Sequence, residues 1–273
     1  MVVGTLICPR RPSAKVVDPL MVLHQALRAE VEHPELLRPR LCSLPDRTPA
    51  VTELPRELHG GWTPLYHMGR SERIALIEKS NYLIIDGEDR FAGREVWELR
   101  TKPKRYYDPW KQLWVDKQTG AIMAARDWAS NSKLRRVMKL SPPSPTVASR
   151  EAKARGHSAE GSPFGTPNAA RKALRAAGGG MSLPKYVPFG YELSDVWVSR
   201  AAKAVHVVYS NGLHAISVFQ WTADGRNTQG VPAVVTHLGL QDVVAREKSR
   251  SRRVVVVADF PEDEAVRIAD SIP

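Results

Sequence analysis

Residues 204–221, AVHVVYSNGLHAISVFQW, decide most of the reading of this chain. Two runs rich in β-branched and aromatic residues flank Ser-Asn-Gly, and Asn-Gly is the strongest short-range hairpin signal. With Asn211 and Gly212 as the two turn residues, Ser210 pairs with Leu213, Tyr209 with His214 and Val207 with Ile216. Val205, Val207, Tyr209, His214, Ile216 and Val218 then share one almost wholly apolar face. Such a ribbon needs cover, and it is expected to pack on a C-terminal helix or on the first half of the chain.

That helix is written in FPEDEAVRIADSIP. Pro261 lies near its start, and Glu262, Asp263 and Glu264 fill a first turn where the helix dipole favours anions. Ala265, Ile268, Ala269 and Ile272 supply a buried stripe. Further strands are expected near residues 231–236 and 253–258.

The first half opens with Asp18-Pro19, a helix cap and a first-turn proline, before a stripe of Leu20, Leu23, Leu27 and Val31. Residues 34–64 are rich in proline and arginine and carry weak periodicity. An antiparallel meander follows. It has a strand over residues 82–85, a turn at Asp86-Gly87 and a strand over 94–101. Two more strands are joined by Asp116-Lys117-Gln118-Thr119-Gly120, with Gly120 in a left-handed position, and a last strand covers 133–140. Prolines, glycines and serines then mark a linker, within which Asn168 to Gly178 forms a short helix. The expected organisation is a first domain at 18–140, a basic linker at 141–182 and a second domain at 183–273. The fold class is α+β, mainly antiparallel β.

The 273 residues are 42% hydrophobic, enough for a core and against wholesale disorder. The formal charge is +11, of which +5 lies in residues 141–185 and +4 in 246–253. A solvated linker and a basic loop account for this more simply than a nucleic-acid surface, because no nucleic-acid-binding motif accompanies the charge. Cys8 and Cys42 have no metal-like spacing; one disulfide is possible in an oxidising compartment, but the pair does not establish it. No apolar run approaches the roughly 18 residues of a membrane span. The N-terminus carries no signal peptide, so the chain as written is expected not to be exported.

Catalytic and metal-binding patterns are thin. His206 and His214 fall on opposite faces of the ribbon and cannot jointly hold a metal. GHSAEG at 156–161 misses the nucleophile-elbow spacing, and GGG at 178–180 lacks the Lys-Ser/Thr of a phosphate loop. Asp86, Glu88 and Asp89 read as solvated carboxylates on a turn. No enzyme, metal or cofactor is expected. Trp97, Trp110, Trp114 and Trp128, four of the seven tryptophans, all fall in the meander. They are either core fillers of a small sheet or the lining of a face that holds a lipid chain or a partner's apolar segment.

Two sets of segments carry a resemblance. NYLIIDGEDRFAGREVWELRTKPK and LWVDKQTGAIMAARDW lie in the first half; YVPFGYEL, VHVVYSNGLHAISVF and VVVVADFPEDEAVRIADSIP lie in the second. They resemble the MucB/RseB family of sigma-E factor regulatory proteins, in family order and over about half the chain. Asn211 stands where the family pattern has Asp, and Asn-Gly suits the turn equally well.

The resemblance implies a half-barrel first domain like that of the LolA lipoprotein carriers, and a smaller second domain packed on it. It also implies a periplasmic, extracytoplasmic location despite the missing signal peptide, which raises the question whether Met1 is the true start. Residues 20–72 are short for the family's first strands, so an incomplete half-barrel is expected. The implied partner is the outer domain of a membrane anti-sigma factor, shielded from proteolysis in an envelope-stress response and released by lipid or lipopolysaccharide fragments. The alternatives are a periplasmic lipid or lipoprotein carrier and, less in keeping with the motifs, a nucleic-acid-associated protein. A homo-oligomer is left open.

Overall fold

The ribbon forms, with a register two residues longer than its sequence suggests. In the computed structural model, strands β7 (Ala204–Ser210) and β8 (Ala215–Thr222) pair with Ser210 opposite Ala215, Tyr209 opposite Ile216 and Val207 opposite Val218. The connection is therefore four residues, Asn211 to His214, and His214 does not face Tyr209 as the two-residue turn required. The turn's own hydrogen bonds explain the difference. Asn211 Oδ1 accepts from the amides of Leu213 (3.0 Å) and His214 (2.8 Å), while Ser210 Oγ accepts from Gly212 N (2.9 Å). A shift of two residues preserves side-chain alternation, so Val205, Val207, Tyr209, Ile216 and Val218 keep one apolar face, and His214 alone leaves the expected set for the loop.

The structure describes residues 17–32, 70–105, 108–128, 134–139, 167–177, 180–199, 203–222, 235–238, 241–249, 252–258 and 262–273. Cys8, Cys42 and all of residues 141–166, the GHSAEG segment included, lie outside them, as do residues 33–69 of the stretch in which the family's first strands were sought. Among the described residues the fold is α+β, with two antiparallel sheets and no closed barrel.

The first sheet is a meander in the order β1-β2-β3-β4-β5: Asn81–Phe91, Arg94–Pro103, Trp110–Asp116, Ile122–Trp128 and Leu134–Lys139. Helices α1 (Pro19–Glu32) and α2 (Arg70–Ser80) cover one of its faces. Asp18 caps α1 as its chemistry suggests, its Oδ1 accepting from Leu20 N at 2.9 Å. Val22, Leu23, Ala26 and Leu27 of α1 and Ile74 and Ile77 of α2 pack on Leu99, Leu113, Val115 and Ala125. Ile85, Leu99, Leu113 and Ala125 form one row across four strands.

Two sequence readings need correction in this sheet. The chain does not turn at Asp86-Gly87; β1 runs through that point with a bulge between Ile85 and Gly87, and the turn falls at Ala92-Gly93, both with positive φ. Helix α2 was missed altogether, because its RSERIALIEKS sequence is too polar for a stripe to stand out.

The second sheet has the order β6-β7-β8-β11-β10-β9, adding β6 (Glu192–Ser199), β9 (Val235–Leu238), β10 (Gln241–Ser249) and β11 (Arg252–Ala258). Val196, Val207, Val218 and Val256 line up across four strands, each fully buried. Helix α4 (Glu262–Asp270) covers this row with Ala265, Ile268 and Ala269, and Ile272 just beyond it joins them, as the stripe predicts. Helix α3 (Pro167–Ala177) adds Ala170 and Leu174, so part of the expected linker belongs to the second core. Asn168 lies inside its first turn, its side chain accepting from Arg171. The expected basic loop at 246–253 is instead the paired ends of β10 and β11.

The hairpin tip joins the two halves. Leu213 is 7% exposed and belongs to the core of the first sheet, beside Ile74 and Ile77 of α2. Gly212 O accepts a hydrogen bond from Arg73 Nε at 2.8 Å. Gly212 sits at φ 86°, and a Cβ there would lie 2.6 Å from Ile77 Cγ1 and 2.7 Å from Arg73 O. Gly190 approaches the other end of α2 in the same way, and its carbonyl accepts from Ser80 Oγ at 3.1 Å.

Gly212→Ala should therefore cost about 2–5 kcal/mol, combining left-handed strain with a backbone clash. Gly93→Ala, at φ 80° with nothing within 4 Å, should cost only about 1–2 kcal/mol. Urea unfolding at constant m decides; equal costs for the two variants would show that close approach is not the reason for Gly212.

Candidate functional site

The face of the first sheet opposite the helices gathers three of the four meander tryptophans. Trp110 is directly opposite Trp128 across β3 and β4, and their rings stack at 4.9 Å between centroids and 5° between planes. Trp114 lies four pairs further along on the same face, opposite Ala124, with the Arg126 guanidinium 4.8 Å above its ring. Val96, Trp114 and Ala124 form a small apolar cluster edged by Phe91 and Met123. Trp110 and Trp128 stay half-buried and keep ring surface available. Between these aromatic ends, Gln112 donates to Glu98, and Arg100 pairs with Asp86 at 2.6 Å. This is a mixed aromatic and polar surface, suited to a peptide with apolar anchors and hydrogen-bonding neighbours.

Trp97 is not part of that surface. Strand alternation turns it to the helix-covered side, where it packs against the first core with Lys117 Nζ 4.1 Å from its ring centroid. Alternation was legible in the sequence, but the bulged register that fixes which tryptophans face together was not.

A second polar constellation lies where the two halves meet, and sequence reading missed it. Arg105, after β2, reaches Glu264 Oε1 on α4 at 2.5 Å. Tyr186 OH donates to Glu264 Oε2 at 2.7 Å and lies 3.3 Å from Arg105. Asp108, 2% exposed, sits 3.8 Å from the same guanidinium. Burial, assisted by Glu264 and opposed by Arg105, pushes the Asp108 carboxyl up to about 6. These residues are separated by up to 159 positions, so no local pattern connects them. The acidic first turn of α4 was read only as a dipole complement, yet Glu264 is a partner for Arg105.

The remaining candidates lie elsewhere. Asp86, Glu88 and Asp89 lie on strand β1 and not on a turn. Among the described residues no group of three or more His, Cys, Asp or Glu is placed to hold a metal, and no helix is long and apolar enough to cross a membrane. His206 and His214 are both buried. His206 stacks between Trp197 (4.9 Å) and Phe219 (4.1 Å), on the face of the second sheet opposite the valine row.

Neither protein-family models nor curated protein sequences match the chain. Solved structures do. A chain of the Pseudomonas aeruginosa MucA/MucB complex matches 73% of this chain over 66% of its own length, with 20% identity and a TM-score of 0.51. MucB in complex with MucA(peri) matches the same share over 69% of its length, again with 20% identity and a TM-score of 0.51. This chain has the MucB fold. The match covers about two thirds of those chains, and it agrees with the family resemblance carried by the two sets of sequence motifs.

Burial lowers the His206 imidazole from 6.5 to about 3, so it folds uncharged. The unfolded chain takes up this proton first. The contribution is therefore whole above pH 6.5 and is lost as pH falls from 6.5 towards 3. His206→Phe keeps an aromatic ring in the stack and should flatten stability against pH in that window by about one proton. Urea unfolding of both proteins across the window measures it, and equal slopes would mean His206 does not titrate on unfolding.

Proposed function

We propose that this chain is a non-enzymatic, extracytoplasmic regulator that binds the outer domain of a membrane anti-sigma factor and modulates its proteolysis in an envelope-stress response. The observation that carries the reading is the shared fold with MucB in its complex with MucA(peri). The motifs that resemble the MucB/RseB family support it from the sequence side. In this reading residues 18–140 form the LolA-like domain and residues 183–273 the second domain, joined by the segment 141–182, whose helix α3 packs on the second core.

The contact surface proposed for the anti-sigma segment is the face holding Trp110, Trp114 and Trp128. Aromatic anchors beside polar groups dominate binding energy at such interfaces. Trp97 supports this face from the core side. Binding there would shield an extended or helical segment by occupying it, and needs no catalytic group.

The test is calorimetric titration of the full chain with the outer domain of a single-span anti-sigma factor encoded beside it. Wild-type protein should bind, and Trp110→Ala or Trp128→Ala should each weaken binding by about 30-fold or more, the effect of losing a hot-spot aromatic. Absence of wild-type binding overturns the regulatory reading. Binding that is indifferent to both substitutions overturns the assignment of the surface. Co-purified lipid in native mass spectra without anti-sigma binding would favour a carrier instead.

A further inference from the structure

Two carboxylates share one guanidinium at the junction of the two halves, and this imbalance has a consequence. Arg105 gives Glu264 its short contact, 2.5 Å, and Tyr186 adds a hydrogen bond to the other oxygen of the same carboxylate. Asp108 is left at 3.8 Å, more deeply buried than Glu264, and its Oδ1 has no hydrogen-bond partner among the described residues. The charged and titratable groups around it there are Arg105 on its own loop, Glu264 and Arg267 on α4, and Tyr186 before β6. Arg267 stacks on the Tyr186 ring at 3.9 Å and does not neutralise Asp108 directly. With both acids ionised, the part-exposed Arg105 and the buried Asp108 and Glu264 together carry one uncompensated negative charge. With Asp108 protonated, Arg105 and Glu264 remain as a balanced pair.

We propose that Arg105, Asp108, Tyr186 and Glu264 form a proton-sensitive latch between the two halves, tightened when Asp108 takes up a proton and loosened when it ionises. The geometry ties both partners to the junction. Arg105 and Asp108 belong to the connection between β2 and β3, whereas Glu264 and Tyr186 belong to the second half. Contacts that include Leu213 in the first core, Arg73 with Gly212, Ser80 with Gly190 and Lys79 with Glu192 also hold the halves together near neutral pH. The latch thus changes how firmly the halves are held and leaves their arrangement alone. It rests on the junction itself and is independent of which partner the tryptophan face binds.

The sign follows from the direction of the shift. The docked state holds the Asp108 proton up to about pH 6, whereas the ordinary value is 3.8. Acidification through that window therefore favours docking, and the gain is absent above it. Between about pH 7.5 and about pH 5 the docking equilibrium should tighten by about tenfold.

Hydrogen exchange of the full chain measures this at the amides of residues 76–80 and 211–214, corrected for the intrinsic pH dependence of exchange. Wild-type protection there should rise about tenfold on acidification, and Asp108→Asn should remove that rise while staying as protected as the acidic wild type. Glu264→Gln should move the transition to lower pH, because it frees Arg105 for Asp108. A carbon-detected NMR titration of the Asp108 carboxyl in the wild type provides a reading that no variant can confound. A midpoint near 6 supports the latch. A midpoint near 4, or an exchange response that persists in Asp108→Asn, overturns it.

Discussion

The structure depends on one insertion: the tip of the second-half hairpin enters the core beneath a first-half helix. Leu213 becomes part of the apolar cluster of the first sheet, and Gly212 brings its backbone against Arg73 and Ile77 of α2. A two-residue turn could not do this, because it would pair Leu213 with Ser210 inside the ribbon and leave only Asn211 and Gly212 at the tip. The four-residue loop, closed by Ser210 and Asn211, offers Leu213 as a plug and hides its own polar groups in local hydrogen bonds. Burying one leucine side chain contributes on the order of 2 kcal/mol. The exposed Lys79–Glu192 pair at the rim adds little by comparison.

Once α2 is held from both sides, the remaining surfaces acquire distinct roles. Helices α1 and α2 occupy one face of the first sheet, so the half-buried, stacked Trp110–Trp128 pair lies on the other, beside the buried Trp114. In the second sheet, the valine row takes α4 and α3, while Trp197, His206 and Phe219 stack on the reverse side. The Arg105–Glu264–Asp108 group then sits at the junction, with Arg105 and Asp108 contributed by the first half and Glu264 by the second. The face proposed for binding lies on the first half, and the proposed latch lies at the junction.

Much of this was legible in the sequence because it is local. The Asp18 cap, the Asp116–Gly120 connection with Gly120 at φ 75°, the hairpin faces and the stripe of α4 all follow from spacing and residue type. The family motifs indicated the fold that the MucB comparison then supported. What escaped reading was set by tertiary context. The bulge at Gly87 extends β1 through an apparent turn, and α2 is helical although its sequence is largely charged. The hairpin took a longer loop because its tip has a distant site to fill. Three tryptophans came together and Trp97 did not, through a register no single strand encodes. The Arg105 cluster was invisible for the same reason, its members lying far apart in the chain.

The claim that the hairpin tip unites the two halves is tested most directly by a double-mutant cycle between Leu213→Ala and Ile77→Ala, read by urea unfolding of the full chain. The account predicts one cooperative transition and a coupling of about 1 kcal/mol or more, as expected for residues sharing a cavity. Two separate transitions, or costs that add to within about 0.5 kcal/mol, would contradict it.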